Sequence, residues 1–289
     1  MPTRQHGSNN TTWDPQRYLR FEKQRSQPFR DLLARVRIDA EPDPGFVVDL
    51  GCGPGNATAL LARRWPEARV LGVDSSRQMI EAAAEHGEPG RLEFRLGDLR
   101  EVSTEALGGP ADVVITNATL QWVPGHLELL PRLAGLLAPE GTLALGVPGN
   151  FDSPSHTILA DIQREPHWRE RLSGLEVRPA VPEPEDYLRA LDRAGLAAQA
   201  WETTYLYVLD GEDGVFEFVS STALRPVLSE LGGPDTPAAA EFCEEYRAAL
   251  RAAYPATELD GRSVQILPFR RIFALGERTD RRGQGRSHR

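Results

Sequence analysis

Three aspartates stand where they could do chemistry together. Asp49 lies in the apolar run FVVDL, Asp74 closes RVLGVD, and Asp98 follows LEFRLG. Directly after the first run, GCGPGN puts glycines at 51, 53 and 55. Bare glycine backbone beyond a strand lets a small ligand lie against the main chain. A phosphate ligand fits poorly. The dinucleotide fingerprint G-x-G-x-x-G needs a glycine where the chain has Asn56, and no Gly-Lys-Ser/Thr of a P-loop follows. A carboxylate at Asp49 opposes a phosphate and favours a ligand carrying positive charge. Asp74 can accept both hydroxyls of a ribose, and Asp98 can accept from an adenine amino group with Leu99 beside the ring. The competing reading for each is a strand-end residue that caps the next helix.

These residues need strands to carry them. Short β-branched runs at 46–50, 69–73, 92–96, 111–116 and 141–147 alternate with helical stretches at about 56–65, 76–85 and 125–138. That rhythm predicts βαβ units and a parallel sheet covered on both faces. Before it, Asp14 and Pro15 read as a helix start, and apolar residues from Tyr18 to Val36 predict a helical arm broken at Pro28. After residue 150 the rhythm is lost. Segment 150–182 reads as a short helix followed by loop, and 183–194 as a helix ended by Gly195. Strands are expected at about 200–209 and 264–275. Between them, 212–254 has helical periodicity and is expected to form a cap, with Phe242, Tyr246 and Leu250 on one face.

The chain has 289 residues, 40% of them hydrophobic, enough for one large α/β domain with a helical addition. The net charge of −9 argues against a general nucleic-acid or membrane-surface binder. The last thirteen residues run the other way, with five arginines against two acids and no apolar residue, and are expected to be disordered. Cys52 and Cys243 are the only cysteines, far apart, and form no disulfide or zinc pattern. The polar N-terminus lacks a signal-peptide core, and no apolar run is long enough to span a membrane. A soluble, cytoplasmic monomer is expected.

With VVDLGCGPG, the acid at Asp74 and the third-strand GDL, the chain resembles the class I S-adenosylmethionine-dependent methyltransferases. The strings WDPQRYLRFEKQRSQP, NATLQWVPGH, WETTYLY and ALRP extend the resemblance, over about residues 13–275, to the trans-aconitate methyltransferases within that class. Phe151 and Val227 depart from the pattern and put the acceptor pocket in question. The resemblance implies a Rossmann-like seven-stranded sheet within residues 13–276, with a helical arm at 13–40 and a helical cap at 212–256. Residues 1–12 and 277–289 are then disordered ends. It implies S-adenosyl-L-methionine as cofactor and S-adenosyl-L-homocysteine as product, with no metal. The cofactor contacts it implies are Asp49, Gly51, Cys52, Gly53, Asp74, Ser75, Met79, Asp98, Leu99 and Asn117. For the acceptor, a small carboxylate, it implies Tyr18, Arg25, Trp122, Tyr205, Arg225 and Gln265.

The implied reaction is methylation of one carboxylate of trans-aconitate to a monomethyl ester by in-line displacement. A carboxylic acid with a pKa of about 4 is already ionised at pH 7, so no general base is needed. Catalysis then rests on alignment and exclusion of water, with Trp122 and Arg225 as positioning groups and no Ser, His or Cys nucleophile. Closure of arm and cap over the site would supply the exclusion. Three alternatives remain open at this level: a methyltransferase for another small carboxylate or a natural-product hydroxyl, a nicotinamide-dependent oxidoreductase, and a cofactor-binding module without catalysis.

Overall fold

The computed structural model describes residues 21–37, 43–175, 180–220 and 222–279. Of the ends expected to be disordered, 1–12 and 280–289 lie outside these, as does Tyr18, whereas Glu277 still belongs to the last strand. The chain divides into two compact units: the described parts of Met1–Gln24, Asn150–Ala180 and Tyr205–Phe269, and those of Arg25–Gly149, Val181–Thr204 and Arg270–Arg289.

The larger unit is built on five parallel strands, β1 (Phe46–Leu50), β2 (Arg69–Asp74), β3 (Leu92–Leu96), β4 (Ala111–Asn117) and β5 (Leu137–Pro148). Their order is β3-β2-β1-β4-β5, followed by β8 (Arg262–Glu277) and β6 (Ala197–Asp210). Thr142 to Pro148 of β5 pair antiparallel with β8. The chain runs outward from β1 to β3, then returns to start β4 on the other side of β1. A ligand crevice in an open sheet opens at such a switch point, outside the carboxyl ends of the strands. The apolar runs are where burial is deepest: Val47, Val48, Leu50, Val70, Leu71, Val113, Val114 and Ile115 are all fully buried.

Most connecting helices carry the start signals their sequences predict. α2 (Asn56–Arg64) begins at Gly55, whose φ is 86°, and α3 (Arg77–Ala83) is capped by Ser76, which accepts from the Met79 amide. α4 (Thr104–Leu107) is capped by Ser103. The helix expected at 125–138 is instead a 3-10 turn at His126–Leu129 and a short α5 (Leu130–Gly135). Pro131 explains the change, because it lacks the N–H that a continuous helix would need there. α8 (Pro184–Arg193) does end at Gly195, with φ 83° and the Leu196 amide returning to Leu191.

The arm helix α1 (Glu22–Ala34) is not broken at Pro28 but runs through it. A proline at this position leaves the carbonyl four residues earlier without its helical donor. That carbonyl belongs to Gln24, and the Tyr207 hydroxyl donates to it at 2.7 Å. Tyr207 and Gln24 both belong to the smaller unit.

That unit holds α6 (Pro154–Arg164), α7 (Pro166–Arg169), α9 (Gly214–Ser220), α10 (Arg225–Glu230) and α11 (Pro237–Ala253). Segment 150–182 is thus more helical than its prolines suggested, since Pro154 and Pro166 sit at first-turn positions where proline is tolerated. Phe242, Tyr246 and Leu250 line one buried face of α11, with Trp168 edge-on to Phe242 at 5.1 Å. A short strand, β7 (Thr257–Leu259), pairs with β8 through a turn at Asp260 and Gly261, both at positive φ. Among the described residues, no helix is long and apolar enough to cross a membrane.

Candidate active site

The predicted cofactor residues come together at the carboxyl ends of β1 to β4, all in the larger unit. Asp49 is 2% exposed, and Thr58 in the first turn of α2 donates its hydroxyl to Oδ2 at 2.7 Å. Burial pushes the Asp49 carboxyl up to about 7, with the Asp74 charge adding to the rise and Thr58 opposing it. Beside it, burial and the two acids push the Cys52 thiol up, so it is neutral at pH 7.

The glycine loop works differently from the simple expectation. The amides of Gly51 and Cys52 both donate to the Val73 carbonyl, at 2.7 and 3.1 Å, and the Gly53 amide donates to Asp74 Oδ2 at 2.9 Å. These three donors hold the loop on β2 and are not free for a ligand. The loop offers bare α-carbon: nothing lies within 4 Å of where a Gly53 side chain would start. Asp74 is fixed from both sides, since the Ser76 amide donates to Oδ1 at 2.8 Å. Each of its oxygens keeps a lone pair for a sugar hydroxyl. Ser75 is exposed and Met79 half-buried on the same turn.

Asp98 caps no helix, since α4 is capped by Ser103, but anchors the turn that follows β3. The Arg100 amide donates to Oδ1 at 2.9 Å, and the guanidinium Nε lies 3.0 Å from each oxygen. Arg100 holds the Asp98 carboxyl below its ordinary range. Leu99 is 9% exposed beside it.

At the end of β4, Asn117 Oδ1 is buried with no protein partner. It lies over Gly146 of β5, where a Cβ would come within 2.5 Å of it. A buried bare acceptor is costly unless a ligand or a water donates to it. Asn117, the acid at Asp49 and the pinned Asp74 therefore fit a nucleoside that carries a positive charge. The 3-10 turn Leu120–Trp122 follows, with Trp122 56% exposed. Further along, His126 Nδ1 donates to the Val123 carbonyl at 3.1 Å and Nε2 accepts from Tyr187 at 2.6 Å, which ties this segment to α8.

The predicted acceptor residues fare unevenly. Arg25 lies in α1, but its side chain is outside the described residues. In the smaller unit, Arg225 opens α10, and burial pulls its guanidinium down from the ordinary range. Tyr205 stacks on Tyr207 at 6.1 Å. Gln265 is already engaged within the protein, because its Oε1 accepts from the Val215 amide at 2.8 Å and its Nε2 donates to the Tyr254 carbonyl at 2.6 Å. With both ends of its amide bonded in the core, it has little left for a ligand. Val227 is likewise buried in that unit's apolar cluster. Phe151 packs edge-on to His156 at 5.1 Å.

Sequence reasoning passed over Thr58, Thr119 and Gly146. Thr58 had a signal, a hydroxyl in the first helical turn beyond the glycine loop. Gly146 had none, because its meaning depends on the pairing Asn117↔Gly146.

An α/β sheet of this order, with acids at three successive strand ends and a glycine loop after the first, defines a class I methyltransferase. A family described as a methyltransferase domain matches residues 47–141. A putative methyltransferase solved in complex with the Haloferax volcanii Trm112 methyltransferase activator shares the fold, with a TM-score of 0.52 at 19% identity over 92% of this chain and 95% of its own. The chain belongs to the trans-aconitate 2-methyltransferase family. The protein of that name from Streptomyces avermitilis is 49% identical over 272 residues, 92% of this chain and 97% of its own. That from Streptomyces coelicolor is 49% identical over 277 residues, 94% and 88% respectively.

Proposed function

We propose that this protein methylates one carboxylate of trans-aconitate, using S-adenosylmethionine and releasing the monomethyl ester and S-adenosylhomocysteine. The observation that carries the reading is 49% identity, along nearly the whole of both chains, to proteins of that name. The strand-end acids support the cofactor assignment by chemistry. When bound, S-adenosylmethionine supplies a methyl group on a cationic sulfur, open to attack by an anionic oxygen.

The chain's own residues bind, orient and exclude water. Asp74 would hold the ribose, Asn117 Oδ1 would accept from the ammonium of the methionine portion, and Asp49, once ionised, would supply a negative field beneath the glycine loop. Leu99 and Met79 flank the adenine. The acceptor brings its nucleophile already ionised, so the displacement calls for no general base. Two carboxylates of the acceptor do not react and need counter-charges. By its chemistry Arg225, a planar fork that stays charged, is the kind of group that suits one of them. Trp122 supplies an apolar wall against water.

The test is methyl transfer from S-adenosylmethionine labelled on its methyl group, with trans-aconitate, cis-aconitate, citrate and isocitrate as separate acceptors. Base-labile label released as methanol with trans-aconitate is the expected result. Binding of S-adenosylhomocysteine with no label on any acid would move the acceptor to another class. Arg225→Lys keeps the charge but loses the fork, and is expected to raise the acceptor KM about tenfold with cofactor affinity unchanged.

A further inference from the structure

The segment that leaves β4 is tied at several of its polar groups. Ala118 has a φ of 55°, a left-handed conformation that a residue with a Cβ keeps only when its surroundings hold it there. Its amide donates to the Gly146 carbonyl at 2.7 Å, and its carbonyl accepts from Gln121 Nε2 at 2.6 Å. The Trp122 amide donates to the Thr119 carbonyl at 3.0 Å. At the centre is Thr119. Its hydroxyl lies 3.2 Å from the Asn117 carbonyl and 3.2 Å from the Gly51 carbonyl. A hydroxyl has one proton, so Thr119 shares it between the end of its own strand and the glycine loop of β1. The fit is also steric: a Cβ on Gly51 would lie 2.2 Å from both Cγ2 and Oγ1 of Thr119. The side chain occupies the volume that Gly51 leaves open.

We propose that Thr119 is a positioning residue for methyl transfer, keying the glycine loop to the segment that carries Asn117 and Trp122. One side chain then sets the floor under the cofactor together with the wall beside it. This rests on the methyltransferase reading and adds to it a residue that contributes no reacting atom.

Two substitutions separate hydroxyl from shape. Thr119→Val keeps the branched volume without the proton, and Thr119→Ser keeps the proton without the methyl. Binding of S-adenosylhomocysteine is measured by calorimetry without acceptor, then kcat and the acceptor KM in the labelled assay, with the melting temperature alongside. Thr119→Val is expected to weaken S-adenosylhomocysteine about fivefold, the size of one net hydrogen bond, and to lower kcat. Thr119→Ser is expected to stay within about twofold of the parent on both, by the same count of retained bonds. Thr119→Val equal to the parent in affinity and kcat, with only its melting temperature lowered, would overturn the proposal. If Thr119→Val does not fold, Thr119→Ala decides against Thr119→Ser: serine well above alanine in affinity supports the keying role, and equality overturns it. A parent protein that does not bind S-adenosylhomocysteine would remove the methyltransferase reading itself and the proposal with it.

Discussion

Asp49 is the acid whose placement costs the fold most. In the unfolded chain it titrates near 3.8, and burial moves it to about 7 in the folded protein. Between these values the folded chain holds a proton that the unfolded chain has released. The contribution of Asp49 to stability is therefore fully present below about pH 4, falls as pH rises towards 7, and is lost above 7. At ~1.4 kcal/mol per pKa unit the difference is about 4 kcal/mol. Asp49→Asn keeps an acceptor for Thr58 and removes the charge. Its melting temperature without ligand is expected to exceed the parent's at pH 8 and to match it near pH 4, while S-adenosylmethionine binds at least tenfold more weakly at pH 8. Parallel pH profiles for the two proteins in scanning fluorimetry would show that Asp49 is not the titrating group. Gly146 is tested against Asn117. A methyl group at 146 meets Asn117 Oδ1 at 2.5 Å, so Gly146→Ala should weaken the cofactor much as Asn117→Ala does, and the double variant should lose little more than either. Additive losses would mean that Gly146 acts through something other than that carboxamide.

Among the elements, α1 shows how a residue that should break a helix can be accommodated by a distant one. Pro28 takes a donor from Gln24, and Tyr207 replaces it. Tyr207→Phe is expected to cost about 1–3 kcal/mol in denaturant unfolding, the penalty of an unsatisfied carbonyl. Pro28→Ala returns an amide to Gln24, so the same tyrosine change in that background should cost clearly less; an equal cost would rule out the exchange. No pattern within residues 13–40 could have revealed Tyr207, which lies far along the chain. The same limit governs what was legible elsewhere. The five parallel strands could be read because each is a short apolar run that ends in a turn signal, and α11 because its apolar face, Phe242, Tyr246 and Leu250, repeats every four residues. The hairpin of β7 carried a local signal too, the Asp260-Gly261 pair, which suits a tight two-residue turn. Thr119 was not legible, since its role exists only where β4 lies beside β1. Gln265 looked like a ligand because a polar residue in an apolar strand has two explanations, and the sequence does not say that Val215 and Tyr254 already use its amide.

At the scale of the whole molecule, the net charge of −9 sets a condition that the two reactants meet with opposite signs. S-adenosylmethionine carries a net positive charge and is drawn in by the field of the chain, whereas trans-aconitate is a trianion and is held off by it. Arginine forks act only at close range, so the approach over longer distances is governed by the molecule's total charge. Salt shortens that reach to about 10 Å at 0.1 M. Raising sodium chloride from about 10 to 100 mM, a span over which the screening length falls from about 30 to 10 Å, should lower kcat/KM for the cofactor and raise it for the acceptor. Initial rates with one reactant saturating and the other varied give the two slopes separately. A fall in both would mean that arginines close to the acceptor outweigh the net charge even at a distance, which would place a strong local cationic patch on its path. Opposite slopes would mean that the anionic surface slows entry of the acceptor, and that affinity for it arises only once its carboxylates reach the guanidinium groups.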